Sequence, residues 1–171
     1  MELREGSVTI HTDVTGSAAR MGHRLVIAVE DWSASVTMAR RKPTAVVFRA
    51  ALTSLTVVSG TGGLTPLTAI DKQVIKRNAA KTLDSAAHPE VVFKSSALSV
   101  TGDQVTVVGE LTIHAVAAPL TATVTIVDGR ATASIPVRQS DFGVKAYSLM
   151  LGQLKVADEV VVELAVEVPL Q

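Results

Sequence analysis

The residues best equipped for chemistry in this chain are its four histidines, His11, His23, His88 and His114, with scattered serines and carboxylates. A metal site needs several such ligands converging. The spacing puts each histidine on its own element with no second histidine or carboxylate at a ligand interval, so no metal is expected. His114 falls on the polar side of its run with Thr112 and Glu110 and is expected to face solvent or a polar network. His23 follows Gly22 at a strand start, where a pocket mouth and an outer surface are equal alternatives. Ser59-Gly60 lacks the glycines that form a nucleophile elbow, and no Ser-His-Asp set can be assembled. Gly60-Thr61-Gly62-Gly63 has no Lys-Ser/Thr after it and reads as a flexible connection instead of a phosphate cradle. Asp158-Glu159 opens the last strand, where charge deters edge pairing. Cysteine is absent, which removes disulfides, thiolate metal sites and cysteine nucleophiles. These readings argue against an enzyme and against a cofactor.

The segment from Gln139 to Gly152 is different. It holds two of the chain's aromatic residues, Phe142 and Tyr147, with Lys145, Leu149, Met150 and Leu151, and it joins two strand patterns. A loop so apolar is expected to close one end of the fold, either covering a ligand mouth or plugging the end.

The elements that would carry these residues are mostly strands. Val8 and Ile10, Leu25 to Val29, Val36 and Met38, and Thr44 to Ala50 alternate apolar with polar positions at period two. Val91–Ser99, Val105–Val116, Leu120–Val127, Arg130–Arg138 and Val160–Val168 follow, with Thr101-Gly102-Asp103 and Asp128-Gly129 as hairpin signals. Leu120 to Ile126 is apolar on one face and entirely threonine on the other. One stretch has helical period: Thr68-Ala69-Ile70-Asp71 resembles a capping box, and Ile70, Val74, Ile75, Ala79, Leu83 and Ala86 predict an amphipathic helix from Ala69 to Asp84, stopped by His88-Pro89. A chain of 171 residues is expected to form one domain over 1–171. The fold class is therefore all-β: an antiparallel barrel of about eight strands with one amphipathic helix, just wide enough for side chains or one small ligand. Inward alanines and valines, Ala122, Val124, Ala131 and Ala133, favour a channel, as does an aromatic share of only 3%.

Sixteen basic residues balance sixteen acidic ones, so nucleic acid is not an expected partner. Arg40-Arg41-Lys42 before Pro43 reads as a solvated turn. The charged start Met1–Gly6 has no apolar leader and no run reaches spanning length, so a cytoplasmic location without stable membrane insertion is expected.

Four segments carry a family resemblance: His88-Pro89-Glu90-Val91-Val92-Phe93-Lys94-Ser95-Ser96; Gly109-Glu110-Leu111-Thr112-Ile113-His114 with Pro119-Leu120; Gln139-Ser140-Asp141-Phe142-Gly143-Val144; and Gly152-Gln153-Leu154-Lys155-Val156-Ala157-Asp158-Glu159-Val160. In this order they resemble the YceI-like family, over roughly Asp71 to Val168. The resemblance implies a lipocalin-like barrel that binds polyisoprenoids and related amphiphiles, with no established reaction. Exported members carry a signal peptide and an Arg-Asp pair before the helix end, where this chain reads Asp71-Lys72-Gln73, so it is similar to the cytoplasmic branch. The expected occupant is an isoprenoid, quinone or fatty-acyl amphiphile contacting Arg20, His23, Trp32, Phe93, Ala122, Val124, Phe142, Lys145, Tyr147, Leu149, Met150 and Leu151. Lys145, Tyr147, Arg20 and His23 are expected at the mouth, near a head group. A homodimer is left open. The rival readings are an enzyme on a small apolar substrate, with His23 or Tyr147 as acid or base, and a structural or stress-associated oligomer.

Overall fold

Alternating apolar and polar residues form strands along most of the computed structural model, which describes residues 1–169. In chain order the elements are β1 (Glu2–Leu3), β2 (Gly6–His11), β3 (Val14–Thr15), β4 (His23–Val29), β5 (Trp32–Ala39), β6 (Lys42–Ala51), β7 (Leu55–Gly62), helix α1 (Ala69–Thr82), β8 (Glu90–Thr101), β9 (Gln104–Ile113), β10 (Val116–Val127), β11 (Arg130–Arg138), β12 (Ser148–Leu149), β13 (Leu154–Val156) and β14 (Glu159–Glu167). Eleven strands make one sheet in the order β1-β5-β6-β8-β9-β10-β11-β14-β2-β4-β7, and β12-β13-β3 make a small second sheet. Every pairing is antiparallel.

The expected closed barrel of eight strands is corrected here. The main sheet has eleven strands and curls into a half-barrel with β1 and β7 at its two edges. One strand more than expected is β7, whose glycine-rich end reads as a loop in sequence. Pairing of Gly60 with Leu25 of β4 carries the strand through its glycines, and Leu67 Cδ1, 2.4 Å from where a Cβ would stand, leaves no room for a side chain at Gly60. A second difference is a turn at His114–Ala115, inside the run expected to be continuous from Val105 to Val116.

Three two-residue hairpins have positive φ at both central residues, the conformation whose twist matches the flanking strands. Asp128–Gly129 (φ 50° and 74°) has the residues that favour it. Arg40–Arg41 (49° and 64°) and His114–Ala115 (54° and 58°) do not, and there the ladders on either side impose the turn.

Helix α1 begins as its sequence predicts. The Asp71 N–H donates to Thr68 Oγ1 at 3.1 Å, and the Thr68 N–H donates to Asp71 Oδ2 at 2.8 Å. These hydrogen bonds to Thr68 hold the Asp71 carboxyl below its usual range. The expected end at Asp84 is corrected to Thr82, because Asp84 takes a left-handed conformation at φ 47°. The apolar stripe is also narrower than expected: Ile75, Ala79 and Leu83 face inward, while Ile70 and Val74 are exposed.

Two apolar clusters line the inside of the curl. One centres on Val8, Ile27, Leu55 and Trp32, the other on Phe93, Val107, Phe142 and Val144. Phe48, Leu83, Val91 and Val162 pack against both. No large side chain among the described residues is completely buried. The interior is therefore a wall around a space.

The pairing of β8 with β9 slips between Ser95 and Ala97, which leaves Gly109 opposite Ser95. A Cβ on Gly109 would lie 2.3 Å from the Lys94 carbonyl oxygen and 2.6 Å from Phe93 Cζ. Backbone cannot yield as a flexible side chain does. Gly109→Ala should lower unfolding free energy by about 1–3 kcal/mol, the usual cost of overpacking. An unchanged urea midpoint would show that the bulge tolerates a methyl group.

Candidate ligand-binding site

Antiparallel pairing sends alternate residues to the two faces of the sheet. On β10, Leu120, Ala122, Val124 and Ile126 point to the inside, while Thr123 and Thr125 lie on the outside with Thr132 and Ser134 of β11. Repeated on the other strands, the same alternation surrounds a cavity of about 500 Å³. Its walls are Val, Leu, Ile, Ala, Met and aromatic side chains. The polar side chains that reach it are few, chiefly Thr12, Asn78, Thr82, Gln139 and Tyr147, and no Lys, Arg, His, Asp or Glu lines it among the described residues. Trp32 and Phe48 stack on one wall with ring centroids 6.1 Å apart at 19°.

Of the residues expected at the ligand, Trp32, Phe93, Ala122, Val124, Phe142 and Tyr147 line this cavity. Ala131 does too, and Ala133 has the same parity on β11 and is half-buried as Ala131 is. Arg20, His23, Lys145, Leu149, Met150 and Leu151 are not part of the lining. Arg20 and Lys145 are exposed. The ring of His23 is tied down, its Nε2–H donating to the Thr65 carbonyl at 2.7 Å. Leu149 to Leu151 are exposed, and Met150 and Leu151 take left-handed conformations. Of the four residues expected at a head group, Tyr147 lines the cavity and Arg20, His23 and Lys145 do not.

Helix α1 contributes more than its sequence suggested. Asn78 and Thr82 enter the lining with Ile75 and Ala79. Their i, i+3, i+4 spacing was the available signal, but an asparagine and a threonine on an otherwise apolar face read as solvent positions.

The segment after β11 closes part of the cavity. Gln139 to Phe142 form a short 3-10 turn, ended by Gly143 at φ 66°. Phe142 and Val144 are buried against the wall. The turn is fastened to the residues before β14: Gln139 Nε2 donates to the Ala157 carbonyl at 3.0 Å, and the Gln139 N–H to the Asp158 carbonyl at 2.8 Å. The Ser140 N–H and hydroxyl both donate to the Asp158 carboxylate. These hydrogen bonds from Ser140, aided by the nearby Arg138, hold the Asp158 carboxyl below its usual range.

The fold also corrects the expectation that no histidine has a ligand partner. One donor atom from each of Asp84, His88 and His114 lies within 4.8 Å of the others. The two imidazoles meet edge to face at 4.9 Å and 70°.

The model of the YceI-like domain family matches residues 6–168. No curated protein matches the chain. Among solved structures, BcnA of Burkholderia cenocepacia is similar at 20% identity, with a TM-score of 0.70 and 94% of each chain covered. A YceI protein of Campylobacter jejuni is similar at 13% identity, with a TM-score of 0.62 over 85% of this chain and 84% of that one. Its variant crystallised with a monobromobimane guest is similar at 14% identity and the same TM-score. At these identities the likeness is one of fold.

The Asp158 clamp has a pH signature. Its carboxyl has a lower pKa folded than unfolded, so its contribution is present above the ordinary carboxylate range and is lost as pH falls through the folded value. Asp158→Asn should therefore lower the thermal midpoint at neutral pH. The difference from wild type should shrink below about pH 4. A gap independent of pH would mean that the carboxylate charge is irrelevant to the clamp.

Proposed function

Since the chain belongs to the YceI-like family and surrounds an uncharged apolar cavity, we propose that it binds one isoprenoid, quinone or fatty-acyl amphiphile inside the half-barrel and serves as a carrier or reservoir. The observation that carries this reading is the lining itself. A cavity of about 500 Å³ lies within the usual range for small-molecule sites, and a wall with no Lys, Arg, His, Asp or Glu among the described residues offers no countercharge to a charged metabolite. It suits a hydrocarbon tail, each buried CH₂ of which contributes about 0.8 kcal/mol. Asn78, Thr82, Gln139 and Tyr147 supply hydrogen bonds without charge. That favours a neutral head, such as a quinone, alcohol or amide, over a phosphate. Among the described residues no His, Asp, Glu or Lys faces the cavity to activate its hydroxyl groups, so binding without turnover is the reading preferred over an enzyme.

Trp32 is the chain's single tryptophan and stands in the cavity wall, so its emission reports occupancy directly. Titration with a long-chain isoprenoid alcohol should change that emission saturably, at one equivalent per chain. The affinity should be the same at low and high salt, because burial of a neutral tail is not electrostatic. Organic extraction of protein purified without added lipid, followed by mass spectrometry, should release an apolar molecule. No saturable change with any neutral amphiphile, together with an empty extract, would dispose of the proposal.

The position of the ligand is tested by a pair of substitutions on neighbouring residues. Ala122→Trp fills the cavity from β10, while Thr123→Trp projects outside. Calorimetric titration should show at least a tenfold loss of affinity for the first and little change for the second. Equal affinities would place the ligand elsewhere.

A further inference from the structure

We propose that Asp84, His88 and His114 form a binding site for a divalent transition-metal ion. This is independent of the lipid reading, since none of the three lines the cavity. The ligands come from two separate elements. Asp84 and His88 belong to the connection between α1 and β8, where the Ala87 and His88 N–H groups both donate to the Asp84 carbonyl, at 3.1 and 2.8 Å. That single turn puts two side chains four residues apart on one side. His114 occupies the first central position of the β9–β10 hairpin and packs its ring against that of His88.

Three features point to a metal. The donor atoms lie within 4.8 Å of one another. Bonds of 2.0–2.2 Å to zinc place tetrahedral donors about 3.4 Å apart, so no pair of donors need draw together by more than about 1.4 Å to close the set. Second, none of the three side chains makes a hydrogen bond or ion pair with another described residue, although both imidazoles are partly buried. Their donor atoms are uncommitted. Third, two imidazoles and a carboxylate without a thiolate select zinc, cobalt(II) or nickel over copper(I), and over the all-oxygen sites of calcium and magnesium. Three protein ligands leave a coordination position for water or another small ligand. The site adjoins the cavity through the chain, because Leu83 and Ile113, the residues before Asp84 and His114, both line it. A bound ion would therefore tie the end of α1 to the β9–β10 turn at the cavity rim.

The test uses full-length, tag-free protein stripped with a chelator. Calorimetric titration with zinc chloride should give one equivalent per chain, and cobalt(II) should develop a d–d absorption spectrum with the same stoichiometry. His88→Gln and His114→Ala should each weaken zinc binding at least tenfold and abolish the cobalt spectrum. Asp84→Asn, which keeps a residue tolerant of the left-handed conformation, should weaken zinc binding less. His11→Ala and His23→Ala should bind as wild type does. Circular dichroism establishes that each variant is folded. Should His114→Ala disturb the hairpin, His88→Gln, in the connection rather than the sheet, decides the matter. Failure of wild type to take up a stoichiometric ion, or uptake undiminished in His88→Gln, would overturn the proposal.

Discussion

Hydrogen bonding between antiparallel strands holds neighbouring residues on opposite faces of the sheet, and on the inner face of this one the side chains are mostly valine, leucine, isoleucine and alanine. Eleven strands set the circumference of the wall, while the side chains set its thickness. Short branched groups on so wide a curl do not meet at the centre. The cavity is thus a consequence of strand number and side-chain volume together. With only three phenylalanines, one tyrosine and one tryptophan, the chain lacks the bulk that would fill it.

The same constraint accounts for where polar groups stand. Charge is confined to the outer face and the turns, where ion pairs such as Arg24–Asp13 at 2.7 Å and Arg49–Glu90 at 2.8 Å are exposed and add little to stability. The polar interactions that shape the cavity are hydrogen bonds to loops. Ser140 and Gln139 fasten the turn carrying Phe142 to Asp158, and Thr68 with Asp71 starts the helix that supplies Ile75, Asn78 and Leu83. Two of the segments that carry the family resemblance, Gln139–Val144 and Gly152–Val160, meet in that first clamp. Their residues hold a wall in place.

Period-two alternation was a reliable guide to the faces of β10 and β11, because both faces of those strands differ sharply in polarity. Asp128-Gly129 marked their turn for the same local reason. The strand β7 was hidden by its glycines, and the His114–Ala115 turn by residues with no turn preference of their own. In both cases neighbouring strands, distant in sequence, decide the conformation. The candidate site divides along the same line. Trp32, Phe93, Ala122 and Val124 sit on strands, where parity fixes direction. Arg20, His23, Lys145 and Leu149 to Leu151 sit at element ends and in loops, whose paths depend on contacts such as that between His23 and Thr65. The grouping of Asp84 and His88 with His114 depends on the β8–β9–β10 ladders, which no local spacing reports.

The edges of the curled sheet set its wall apart from that of a closed barrel. Widening a closed barrel breaks hydrogen bonds between at least one pair of strands, each costing about 0.5–1.5 kcal/mol. Here β1 and β7 end the sheet, and among the described residues no ladder joins them. The chain itself crosses from one end of the sheet towards the other, because only Arg4 and Glu5 separate β1, paired with β5, from β2, paired with β14 and β4. At that place a two-residue thread of backbone takes the part that a ladder of hydrogen bonds takes elsewhere around the wall.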